Sequence, residues 1–184
     1  MKKSVIAVAA KDYFKTRKSK NHIMKLLIAI VPAILVWYLL NKLDTNLITN
    51  PGIKIDEIFS GFVNVQISAI AILISFSIAI ITILVSADNE NIRSIRATPS
   101  TECKPFKRGD ASISLFQVLL SNITYNVFIE AIYLVILIGY IFMQLFADDV
   151  LIKALMAVSV FFIIHIFHVL LESVGQMYLT FWKN

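Results

Sequence analysis

Four ionisable side chains interrupt segments of this chain that are otherwise almost wholly apolar: Glu130 in one segment, and His165, His168 and Glu172 in the next. Such groups are costly in an apolar medium and are functional suspects by default. Their types allow three kinds of chemistry. A carboxyl and an imidazole can share a hydrogen bond that sets the register of two helices. The same pair can respond to pH or voltage, because histidine changes charge near neutrality. Two histidines and a carboxylate can also ligate a metal. His165, His168, Glu172 and Gln176 follow three-, four- and four-residue spacing, which places them on one helix face. Asn122, Asn126 and Glu130 form a second such face. The histidine spacing is loose for a metal site, so no metal and no other cofactor is expected. The expectation is a polar clamp in which Glu130 hydrogen-bonds to His165 or His168.

A second pattern is written into the segment "NVQISAIAILISFSIAIITILVS". Asn64, Ser68, Ala71, Ser75, Ala79, Thr82 and Ser86 recur every third or fourth residue and fall on a single seam. At 1.5 Å per residue the seam covers about 33 Å, the thickness of a bilayer core. Small residues let helix backbones approach closely, so the seam reads as a packing face, within the unit or between subunits. The rival reading is a pore lining, in which small hydroxyl side chains leave room for water.

These residues need elements to position them, and the bulk composition says which. Of 184 residues, 58% are hydrophobic and 16% charged. Mean hydropathy is +0.79. Soluble domains carry about half apolar and a quarter charged residues, so this composition belongs to a membrane protein. Gly and Pro number only 5 and 4, which excludes a linker-rich architecture. Four segments are long and apolar enough to span: Met24 to Leu40 around Pro32, Phe62 to Ala87, Ser114 to Phe146, and Val150 to Leu171. The short "ADD" link at Ala147 to Asp149 forces the last two into an antiparallel hairpin. Glu130, His165 and His168 then arrive at one depth, about 22 to 27 Å below the hairpin.

Lysines and arginines collect on cytoplasmic flanks. Here they precede the first span (Lys2, Lys3, Lys11, Lys15, Arg17, Lys18, Lys20, Lys25) and fill the loop between the second and third (Arg93, Arg96, Lys104, Lys107, Arg108). Both termini are therefore expected inside, with the third helix extending into the cytoplasm. The fold expected is an all-α integral membrane four-helix bundle. Residues 1–23 form a basic interfacial segment, residues 24–184 the bundle, and residues 88–112 its cytoplasmic loop. In that loop Asn89 to Arg96 can prolong the second helix, with Glu90 paired to Arg93. Arg93, Arg96, Lys104, Lys107 and Arg108 suit contact with a soluble partner or lipid headgroups. The single cysteine, Cys103, permits no intrachain disulfide and reads as incidental. The basic segments lack the aromatic interleaving of a nucleic-acid surface, and no catalytic constellation is present. The chain therefore reads as neither a nucleic-acid binder nor an enzyme.

In size and whole-chain topology the sequence resembles the four-span membrane subunits of bacterial anti-phage systems, in particular the membrane component of Kiwa. That resemblance implies a homotetramer in the cell inner membrane that senses phage-caused disturbance and carries a cytoplasmic effector. The residues themselves fit a membrane scaffold or sensor with a basic inner face, with a small oligomeric channel or pore-forming effector as the alternative.

Overall fold

The computed structural model describes residues 13–14, 19–42, 55–100 and 113–182. The architecture is all-α. In chain order the helices are α1 (Ser19–Lys42), α2 (Ile55–Ser86), α3 (Glu90–Ala97), α4 (Leu115–Met143) and α5 (Asp149–Trp182). All but α3 carry stretches long and apolar enough to cross a membrane. At 1.5 Å per residue α2, α4 and α5 run about 44 to 51 Å, well beyond a hydrocarbon core of roughly 30 Å.

Local chemistry sets most helix ends. Asp56 and Glu57 occupy the first turn of α2, where carboxylates complement the helix dipole. Ser114 and Gln117 form a reciprocal capping box at the start of α4. The Asp148 carboxylate accepts from the Leu151 N–H at 2.9 Å and starts α5. Pro32 sits inside α1 without ending it. Two ends differ from the sequence expectation. α2 begins at Ile55 rather than near Phe62, because the acidic cap lies above the apolar run. α5 continues past Leu171 to Trp182, since Gln176 and Glu172 have helical partners to meet.

The four long helices form a row rather than a closed square. α1 packs on α5, α5 on α4, and α4 on α2, with a lighter contact between α2 and α5; α1 and α2 scarcely touch. The core lies where α2, α4 and α5 meet. Phe59, Val63 and Ile70 interdigitate there with Tyr133, Leu137 and Tyr140, and with Ile152, Leu155 and Ile166. Because lipid is as apolar as these side chains, the packing is held by dispersion contacts and interhelical hydrogen bonds rather than by water exclusion. Gln144 ties the α4–α5 hinge to α2 by donating to the Asp56 carbonyl at 2.9 Å.

The expected continuation of the second helix proves to be a separate element. Asn89 caps α3 by accepting from the Ile92 N–H at 2.9 Å. Ile92 and Ile95 then pack under Ile80 and Leu84 of α2 and Leu119 and Ile123 of α4. Arg93 pairs with Asp88, not with Glu90: its Nε and Nη2 donate to the two carboxylate oxygens at 2.9 and 2.8 Å. A bidentate fork is geometrically better than an i, i+3 reach along the helix. The Arg93 hydrogen bonds hold the Asp88 carboxyl below its ordinary range. The loop that follows is pinched at its base, where Leu115 donates to the Thr98 carbonyl at 2.9 Å and Ser100 to the Ile113 carbonyl at 2.7 Å.

Candidate functional site

Glu130 lies fully buried on α4, but it faces α2 and not α5. Its Oε1 accepts from Asn126 Nδ2 at 2.7 Å and from Ser77 Oγ at 3.2 Å. Its Oε2 has no partner among the described residues. The expected bond to His165 or His168 is not made. The antiparallel hairpin sets a common depth, as the sequence requires, but depth does not set azimuth. Glu130 projects toward the α2–α4 seam. His165 points instead at Tyr125, whose hydroxyl lies 3.1 Å from Nε2. Phe161 stacks on the imidazole with ring centroids 5.9 Å apart. His168 is half-buried and is not joined to Glu130.

The remaining members of the polar face of α5 are distributed among neighbours. Glu172 pairs with Lys25 of α1. Gln176 accepts from Asn122 Nδ2 of α4 at 2.9 Å. Tyr13 stacks on Tyr125 at 3.8 Å between centroids and 4° between planes, and the Lys25 ammonium lies 5.7 Å from the Tyr13 ring. This end of the molecule is a layer of polar and aromatic groups that knits α1, α4 and α5. Among the described residues no three His, Cys, Asp or Glu side chains converge on a common point.

A middle layer went unanticipated. The Tyr133 hydroxyl of α4 bonds to the Gln66 amide oxygen of α2, with the Ser159 carbonyl of α5 3.4 Å away. The Tyr133 ring stacks on Phe162 at 4.9 Å. Gln66 and Ser77 lie on the side of α2 away from the small-residue seam. Their signal in the sequence was simply that they are polar, off that seam, and inside a span. The pairing of Glu130 with Ser77 predicts a specific thermodynamic cycle. Glu130→Gln and Ser77→Ala are expected to be non-additive, by about 0.6 kcal/mol as in other intramembrane pairs, when unfolding is followed in detergent. Glu130→Gln with His165→Ala is expected to be additive; coupling there would mean that the two groups touch after all.

The α2 seam is where the structure chooses between readings most clearly. Asn64, Ser68, Ala71, Ser75, Ala79, Thr82 and Ser86 are all exposed, on the side of the helix away from Val63, Gln66, Ile70 and Ser77. The hydroxyls turn back on their own helix. Ser68, Ser75 and Thr82 donate to the Asn64, Ala71 and Ile78 carbonyls at 3.2, 3.0 and 3.0 Å, and Ser86 donates to the Thr82 carbonyl at 2.7 Å. Packing within the unit, one expected use of this seam, is therefore excluded. The same line continues upward through Gly61 to Glu57, two positions that the sequence pattern had not included.

Of the five basic residues assigned to partner or headgroup contact, Arg93 and Arg96 can be placed. Both project from α3; Arg96 lies over the Phe116 ring at 4.7 Å, and Arg93 remains 67% exposed although paired. Lys104, Lys107 and Arg108 lie outside the described residues, as do Cys103 and most of the basic N-terminal segment.

Four apolar helices long enough to span, joined by polar layers inside, define a multi-pass α-helical membrane protein. No protein family, no curated protein and no solved structure matches the chain.

Proposed function

We propose that this protein is an oligomeric inner-membrane scaffold or sensor, with both termini cytoplasmic, that docks a soluble effector. One asymmetry carries the reading. At the hinge end α4 and α5 are joined by a short link, whereas the opposite end carries α3, wedged under α2 and α4 and presenting Arg93 and Arg96 outward. Basic, ordered surface at one end and a minimal turn at the other is the form expected of a membrane anchor that works on its inner side. Orientation follows the excess of lysine and arginine at that end. The bacterial defence setting is what the resemblance adds, and with it a trigger that acts through the bilayer.

The test is recovery of a co-purifying protein from mild detergent. Reversing Arg93, Arg96, Lys107 and Arg108 to Glu is expected to lower its yield about tenfold or more, because like charges then oppose it across the contact. Undiminished recovery would remove the docking surface from this loop. The exposed hydroxyl face of α2 favours one other use, a wet path at the axis of an oligomer. Liposomes holding the unmutated protein should then leak ions, and Ser68→Leu, Ser75→Leu and Thr82→Leu together should stop the leak. Tight liposomes decide for the scaffold.

A further inference from the structure

The row of helices has two unlike free edges. At one edge the outer face of α2 has no helix against it. At the other, α1 and α5 diverge to leave an apolar groove of about 340 Å³, lined by Ile30, Ala33 and Trp37 of α1 and by Ala154, Ala157 and Val158 of α5 among others. We infer that this groove is filled by α2 of a second copy of the chain, so that copies associate head to tail. The inference rests on the oligomeric reading above and specifies how the copies meet.

Three observations agree on the register. The first is depth. Tyr133 touches both Gln66 and Ser159, which places residue 66 of α2 level with residue 159 of α5. Val65 therefore stands at the height of Val158, and Gly61 at that of Ala154. The groove is thus level with the upper half of the α2 face. The second is shape. Val65 is 70% exposed, a knob of suitable size for a groove floored by alanines. Gly61 and Ser68, one turn above and one below, remove bulk beside it. A Cβ added at Gly61 would meet nothing in its own chain, so the space there is open to a neighbour. The third is charge. Asp56 and Glu57 are exposed at the hinge end of α2, and Lys42 and Lys153 stand near the mouth of the groove at about the same height. Acidic edge meets basic edge only when α2 of one copy faces α1 and α5 of the next. An α2-to-α2 contact would instead set Glu57 beside Glu57. A head-to-tail contact between unlike surfaces closes a ring when the rotation permits.

Cysteine crosslinking of the full chain in native membranes, with Cys103 replaced by Ser, tests this directly. Val65→Cys combined with Val158→Cys is expected to give a ladder of multimers under oxidation, while either substitution alone gives none. Dimers from Val65→Cys alone would establish a symmetric α2–α2 contact and overturn the inference. So would an absence of crosslinks from a chain that native mass spectrometry still finds oligomeric; the oligomeric reading would then survive without this interface. A chain that is monomeric in those membranes would overturn both. A gentler variant guards against misfolding. Glu57→Lys is expected to reduce the multimer fraction about two- to fivefold, the range of an exposed ion pair, and Lys42→Glu with Lys153→Glu in the same chain should restore it. Indifference to both changes removes the charge argument.

Discussion

Glu172→Ala, made with Lys25 in place, is expected to lower the stability of the helix assembly by up to about 3 kcal/mol and to free α1 from α5. Lys25 is among the more buried ionisable side chains, with 9% of its side-chain surface exposed against 22% for Glu172. Removing one partner of a buried pair leaves an uncompensated charge, which costs about 3 to 5 kcal/mol in dry interiors; the partial exposure of Glu172 argues for the low end or less. The effect is concentrated on one helix because α1 packs on α5 and scarcely elsewhere. Protease protection of the α1–α5 contact, followed with thermal unfolding in detergent, reads it. Lys25→Met together with Glu172→Leu is expected to recover most of the loss, since a matched apolar pair carries no unpaired charge. If Glu172→Ala alone is silent, the pair is a solvated surface contact and α1 is held by packing.

Tyr133→Ala is expected to cost about 3 kcal/mol or more, the range found for removing a fully buried ring. The ring is 0% exposed, stacks on Phe162, and stands where α2, α4 and α5 converge. Tyr133→Phe isolates the polar part. It keeps the ring and removes only the hydroxyl, leaving the Gln66 amide oxygen without its donor, at about 1 to 3 kcal/mol. Gln66→Leu in the Tyr133→Phe background should then be nearly neutral, because both ends of the bond are gone. A large cost for Tyr133→Ala with none for Tyr133→Phe would show that the middle layer is held by packing alone.

The sequence made the existence of the four long helices plain, because a run of about 20 apolar residues has few other folds open to it. It also marked Asn122, Asn126 and Glu130 correctly as one buried face. What it missed was the identity of the partners. Glu130 and His165 share a depth, and periodicity along two helices places both on interior faces. Yet each interior face has two neighbours in a packed row, and the choice between them is a rotation about the helix axis. That rotation is set by how Phe59, Tyr140 and Ile152 fill the space between helices, which no single segment records. The α2 seam illustrates the same limit. Its spacing defined a face, and only the packing of Val63, Ile70 and Leu84 against α4 made that face the outer one.

By itself the sequence determined the solvent this chain is built for, the number of its spans, and the depth of each polar group along them, because hydrophobicity and helical rise are properties of one segment at a time. Only the tertiary structure decided which polar groups meet, that α3 stands apart from α2, and that two edges of the row are left uncovered. Those outcomes depend on the rotation and tilt of one helix against another, and these are set jointly by side chains far apart in the chain.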